Sequence, residues 1–418
     1  MFHGFCLKNQ LICLKENLVI SLKIVLICEA PLCVNAGGIS QTLYNIFSFC
    51  KSENILCIAP DYEVMLYPPS EPFANSYITY KFRIVNIGAN RLAKYFGSLF
   101  NWFNLSINQL RSFKKLKEKI KTFNADAIVS CPNGVVGVLM HKKLCGNINT
   151  KVLPYFMDDW MYLVKNKWLG GSLHSSIKEM LAQNKNWLMI SNELSNLLSE
   201  RYNAKPENIL SIRNPININN APAERIPTAT NKFQLAYAGA IWDMHLDALK
   251  TIANACFNLQ QNNFEVTLTL FTPEHFWNWR KNDFEKYNVH YGGNISYQKI
   301  HEILTEYDGL ILVSSFSKEL FTHSKASIQT KITDYFKSRQ LIISCGPEYS
   351  ANHHFLKKYD CGVCIETNNI NEVTTQLKQI ILSLSQLRYK VNNGWELLQT
   401  EFNQTIVQQK LQNFLALA

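Results

Sequence analysis

Apolar residues in this chain follow two rhythms. Short unbroken runs, Ser21 to Cys28 (SLKIVLIC), Asn54 to Ala59, Ala125 to Ser130 (ADAIVS) and Lys151 to Phe156, have the length of strands buried on both faces of a parallel sheet. Between them apolar residues fall three and four apart. The stretch that begins near Ser40 puts Leu43, Ile46, Phe47 and Cys50 on one helix face. Trp187 to Ser191 reads as a further strand that ends at a helix cap. From Asn214 to Thr230 three prolines and weak periodicity interrupt the pattern, as expected of a domain boundary. Phe233 to Gly239 (FQLAYAG) then restarts it, followed by Glu265 to Phe271, Val289 to Tyr291, Gly309 to Val313, Leu341 to Ser344 and Cys361 to Ile365. Alternating strands and helices predict an α/β protein of two doubly wound domains, each opening with a strand and a glycine turn. The expected divisions are an N-terminal extension 1–20, a first domain 21–214, a linker 215–231, a second domain 232–390 and a C-terminal helical segment 391–418 that crosses back to the first domain.

Composition changes this picture in three places. A chain of 418 residues is too long for one core and suits two. The formal net charge of +10 calls for an anionic partner: a nucleotide, a polyanion or a membrane surface. Twelve cysteines scattered through strands and helices read as buried thiols of a reducing cytoplasm. Cys361-Gly-Val-Cys364 has no second pair at zinc-site distance, and His353-His354 reads as surface histidine, so no metal is expected. No apolar run approaches the ~20 residues of a membrane span. Met1 to Ile20 is broken by Lys8, Lys15 and Glu16 and does not read as a signal peptide. No nucleic-acid motif accompanies the basic charge.

The segment Ser327 to Gly346 carries the clearest chemistry. It reads as a helix start with Ser327, Thr330 and Lys331, then Asp334 one turn in, then the strand Leu341 to Ser344. Free N–H groups and the positive dipole end favour phosphate at such a start, and a carboxylate one turn on is placed for a ribose diol. Gly37 and Gly38 allow close approach of the first loop to a ligand, and Gly239 closes the first strand of the second domain. Asp158 and Asp159 leave the strand Lys151 to Phe156 at the edge where α/β sheets bind ligands, one of them to orient or deprotonate an acceptor hydroxyl. Trp160 is placed to stack on a sugar. Asn294 and Ile295 are candidates for backbone contact with a base. Finally, a basic cluster from Arg111 to Lys121 follows an aromatic-rich amphipathic stretch that begins near Arg91, a pattern that suits an anionic membrane surface.

Together Gly37-Gly38-Ile39-Ser40, Asn214-Pro215-Ile216, Gly292-Gly293-Asn294-Ile295, Met157-Asp158-Asp159-Trp160 and Lys331-Ile-Thr-Asp334-Tyr335 resemble, in order and spacing, the GT-B glycosyltransferases. The likeness is to the family 4 retaining enzymes of bacterial polysaccharide and lipopolysaccharide assembly, and it spans Leu22 to Leu415. It implies two Rossmann-like domains facing across a cleft, and transfer of a sugar from a nucleotide-diphosphate donor to a growing, lipid-linked glycan. It further implies retention of anomeric configuration, no metal or other cofactor, and a hexosyltransferase-type enzyme of the cytoplasm that docks on the inner membrane face. The chain departs from the family at three points. Ala326 and Asp334 stand where many members carry glutamates, Ala240-Ile-Trp-Asp-Met-His245 lacks the diphosphate-clamping Arg and Lys, and Met157 replaces a histidine. A sugar-nucleotide 2-epimerase of the same fold and a non-catalytic nucleotide-sugar-binding subunit are the rival expectations.

Overall fold

The structure, a computed structural model, describes residues 22–34, 36–81, 110–146, 148–164, 167–225 and 232–417. The N-terminal extension 1–20, residues 91–109 of the amphipathic stretch and residues 226–231 of the linker lie outside the described residues.

Seven parallel strands build the first sheet: β1 (Ile24–Cys28), β2 (Ile55–Pro60), β3 (Tyr77–Tyr80), β4 (Ala127–Cys131), β5 (Lys151–Phe156), β6 (Asn186–Met189) and β7 (Asn208–Ser211). Their order is β3-β2-β1-β4-β5-β6-β7. Six more, β8 (Lys232–Ala238), β9 (Glu265–Phe271), β10 (His290–Gly293), β11 (Gly309–Val313), β12 (Leu341–Cys345) and β13 (Val363–Ile365), run in the order β10-β9-β8-β11-β12-β13. Both orders reverse direction beside their first strand, at β1/β4 and β8/β11, which is where doubly wound sheets open a crevice for ligands.

The unbroken apolar runs follow from this two-sided burial. In β1, Ile24 and Leu26 enter one core while Val25 and Ile27 enter another on the opposite face. In β11, Ile311 and Val313 face one layer and Leu310 and Leu312 the other. Each such side chain contributes ~1.5–3 kcal/mol by leaving water. The sequence pattern misses β3 and β7 because both are short edge strands, and β7 is largely exposed and gives no apolar signal.

The C-terminal segment divides between the domains. Helix Arg388–Thr400 stays on the second, with Val391 and Leu398 in its cores. Helix Gln404–Leu417 crosses to the first, where Val407, Leu411 and Leu415 complete the core. Gln404 and Gln408 each donate from Nε2 to the Asn45 carbonyl, at 2.9 and 2.8 Å, and Lys151 Nζ donates to the Leu415 carbonyl at 2.8 Å. His353 is not a surface residue. Its helix, Ala351–Lys358, turns that side of itself to the sheet, so the ring is fully buried and lies 3.3 Å from the Ser344 carbonyl. Burial lowers its pKa to about 4.

Candidate functional site

The two switch points carry opposite charge. In the first, Glu29 follows β1 and its carboxylate accepts from the Asn133 N–H at 2.8 Å, beside the start of helix Val135–Cys145. The fit is close: a Cβ on Gly137 would lie 2.5 Å from Glu29 Oε2. Burial pushes the Glu29 pKa up to about 7, against the pull of the two backbone N–H groups. This crevice already holds an acid.

The second switch point holds a lysine. Lys331 opens helix Lys331–Lys337, and its Nζ lies 3.8 Å from the centroid of the Tyr237 ring at the end of β8. It passes beside Gly239, whose φ of +130° and missing side chain make the room, since a Cβ there would sit 2.9 Å from Nζ. Nζ is buried and has no hydrogen-bond partner among the described residues. Burial lowers the Lys331 pKa to about 7, with Asp334 pulling the other way. His245, from helix Asp243–Gln261, places Nδ1 3.1 Å from the Tyr237 hydroxyl and 3.0 Å from the Ala240 carbonyl. Burial, then the neighbouring charge of Lys331, drives its pKa well below the ordinary histidine value. A buried amine without a hydrogen-bond partner is costly to fold around, and it marks a place that suits an anion.

Asp334 stands one turn along from Lys331. Its Oδ1 meets His301 Nε2 at 2.9 Å, and the Tyr297 hydroxyl lies against both Asp334 and Asn45. Asn294 and Ile295 lie between β10 and helix Tyr297–Thr305, the first exposed and the second half-buried. The expected helix start is corrected here. Ser327 closes a preceding short helix, Phe321–Ala326, and only at Lys331 does the next begin. Ser327 is held extended because its side chain bonds elsewhere, donating to Asp158 Oδ1 at 2.9 Å.

That bond crosses the cleft. Gly37 (φ +99°) and Gly38 start helix Gly38–Phe47 in the first domain, and a Cβ on Gly38 would lie 2.7 Å from Thr330 Oγ1 of the second. Asn45 Nδ2 donates to Pro215 O at 2.8 Å and Asn214 Oδ1 at 3.2 Å, and Asn214 Nδ2 reaches Thr333 Oγ1 at 3.3 Å. Thus Gly38, Thr330, Lys331, Asp334 and Asp158 gather at the facing edges of the two sheets.

Two expected site residues do not join them. Both oxygens of Asp159 are taken by Arg201, at 2.6 and 2.7 Å, and its side chain is 1% exposed. Trp160 is buried in the first core and donates from Nε1 to the Pro132 carbonyl at 3.1 Å, so it presents no face to a sugar. The adjacent positions alternate sides as the chain leaves β5, and only Asp158 turns to the cleft. Sequence reasoning missed Glu29, His245, His301 and His323. The three histidines belong to no motif, and only the fold brings them near Lys331, Asp334 and Asp158.

Two Rossmann-like domains closing on a cleft in this way define the GT-B architecture. No protein-family model matches the chain, and no curated protein matches it in sequence. Solved structures do match it in shape. Anabaena Alr3699/HepE, crystallised with UDP, superposes with a TM-score of 0.67 at 11% identity, over 95% of this chain and 100% of that one. Sucrose-phosphate synthase (tll1590) from Thermosynechococcus elongatus gives 0.66 at 12% identity over 95% and 99%. WaaG, a glycosyltransferase involved in lipopolysaccharide biosynthesis, gives 0.59 at 11% over 94% and 99%. At these identities the likeness establishes the fold, that of GT-B glycosyltransferases.

Proposed function

We propose that this protein is a glycosyltransferase that moves a sugar from a nucleoside-diphosphate donor to a growing, lipid-linked glycan. One observation carries the reading: the unpartnered, buried Lys331 beside Gly239 at the second switch point, with Glu29 filling the first. The donor diphosphate takes Lys331 and the N–H groups near Thr330, and Asp334 takes the ribose, oriented by His301. Asn294 and Ile295 line the base. Lys331 thus stands in for the Arg and Lys absent from Ala240 to His245. Asp158 serves the acceptor hydroxyl. Retention of configuration and metal-free chemistry are kept from the family resemblance. HepE, crystallised with UDP and with UDP-glucose, supports a nucleotide-sugar donor.

A thermal-shift panel of nucleotide sugars tests this. A donor at a hundred times its dissociation constant is expected to stabilise the wild type by about 2.7 kcal/mol. Asp334→Ala is expected to lose most of that stabilisation while remaining folded, with a melting temperature lowered by the loss of its bond to buried His301. No response from the wild type to any nucleotide sugar overturns the reading; an undiminished response in the variant overturns the ribose assignment. Sugar released in altered form from donor alone would indicate the epimerase instead.

We also propose docking on the cytoplasmic membrane face. In helix Leu110–Phe123, Phe113, Leu116 and Ile120 are buried in the first domain, so the apolar side does not reach lipid. Lys117 is drawn back to the Gly146 carbonyl at 3.3 Å, while Lys114, Lys115, Lys119 and Lys121 are exposed. Among the described residues of this helix, only charge is left to meet a membrane. Neutralising Lys114, Lys115 and Lys119 is expected to remove about 3 kcal/mol of attraction to vesicles containing phosphatidylserine, and salt to act in the same direction. Sedimentation indifferent to both changes would leave an ordinary solvated helix.

A further inference from the structure

Asp158 belongs to the first domain, yet the side chains that hold it belong to the second. Ser327 Oγ donates to Oδ1 at 2.9 Å, and His323 Nε2 lies 3.5 Å from Oδ2. The other contact is the next backbone N–H, from Asp159, at 2.7 Å. His323 is itself well set. Its side chain is 9% exposed, on helix Phe321–Ala326, and the neighbouring Ser324 donates to the Ser315 carbonyl at 3.1 Å. Ser315 in turn donates to Asp247 Oδ2 at 2.9 Å, which also accepts from the Phe316 N–H at 2.8 Å. The helix that carries the imidazole is therefore tied to the loop after β11, the wall of the donor crevice.

We propose that His323 is a positioning residue for Asp158, and that the two form a composite base, half from each domain, assembled only when the cleft is closed. The proposal rests on the glycosyltransferase reading. In the reaction the acceptor oxygen bonds to the anomeric carbon, on the same face that the diphosphate leaves so that configuration is retained, as the bond from that carbon to the diphosphate oxygen breaks. The bonding pair leaves on the diphosphate, and the hydroxyl proton passes to the Asp158 carboxylate. An open cleft lacks the histidine and so lacks an oriented base, which couples proton removal to domain closure.

Lys318 and Glu319 lie on the short helix Lys318–Leu320 that packs against the helix of His323. Asp159 beside Asp158 is closed by Arg201 of helix Asn192–Tyr202, while Lys325 shares the helix of His323. Lys331 and His245 come from helices Lys331–Lys337 and Asp243–Gln261. Burial acts to raise the Asp158 pKa, but the bonds from His323 and Ser327 outweigh it and hold the carboxyl below its ordinary value. Without His323 burial gains ground, so the carboxylate protonates at higher pH.

His323→Ala and His323→Gln test this with UDP in calorimetry and with UDP-glucose and the other panel donors in turnover, read as nucleoside diphosphate released with and without glycan acceptors. The Ala variant is expected to bind UDP, or the panel nucleotide that the wild type prefers, as the wild type does. Its kcat is expected to fall roughly a hundredfold, and the acid limb of its pH profile to move to higher pH. The Gln variant, which keeps an N–H donor, is expected to recover part of both. An unmoved acid limb with wild-type kcat overturns the proposal. So does a loss of nucleotide affinity that matches the loss of turnover, because that marks a structural role. A wild type that binds no nucleotide overturns the functional reading itself, and the proposal with it.

Discussion

Lys331→Met is expected to weaken binding of the nucleoside diphosphate ten- to a hundredfold, about 1.5–3 kcal/mol for a lost charge-assisted bond. The same change should leave the fold intact, because the ammonium is buried without a partner and a methionine of similar length fits beside the Tyr237 ring. Two pH effects separate this from a solvated lysine. The folded pKa near 7 lies below the ordinary 10.5, so between those values the unfolded chain binds more protons. Wild-type stability is therefore expected to rise with pH across that window, and the Met variant to lack the rise. Diphosphate binding favours the protonated amine, so wild-type affinity should fall as pH climbs past about 7, with proton uptake on binding. Calorimetry in buffers of different ionisation enthalpy reads that uptake directly. Unchanged affinity in the Met variant would remove Lys331 from the site.

Arg201→Met is expected to destabilise the protein by about 3–5 kcal/mol, since it leaves the Asp159 carboxylate buried and unpaired. Urea unfolding measures this. An alternative role for Asp159 in the reaction predicts the reverse: normal unfolding with impaired turnover. The neighbouring acids thus divide their duties, Asp159 holding helix Asn192–Tyr202 to the chain after β5 and Asp158 facing the other domain.

How far the chain could be read follows from what periodicity records. Two-sided burial wrote Ile24–Cys28, Gly309–Val313 and Leu341–Cys345 as near-continuous apolar runs, and the doubly wound fold was legible in them. Lys331 and Asp334 were legible because they share one short segment before a strand. Asp158 and Asp159 were visible as a pair but not separable, because strand-to-loop direction decides which acid turns inward. His323 and Asp158 are 165 residues apart in number, and only closure of one domain on the other joins them. Burial of Trp160 was hidden for a related reason: an aromatic beside two acids has the same local sequence whether it faces a sugar or the Pro132 carbonyl.

Helix Gln404–Leu417 has a consequence for the order in which the molecule is made. The first domain is synthesised first, but Val407, Leu411 and Leu415 belong to its core. Until they leave the ribosome, the nascent domain keeps an open apolar slot beside helix Gly38–Phe47, and the Asn45 carbonyl lacks both glutamine donors. The sheet of the second domain is one contiguous stretch from Lys232 to Ile365 and waits for no earlier strand. The core of the earlier domain is therefore sealed only by residues made after the whole sheet of the later one.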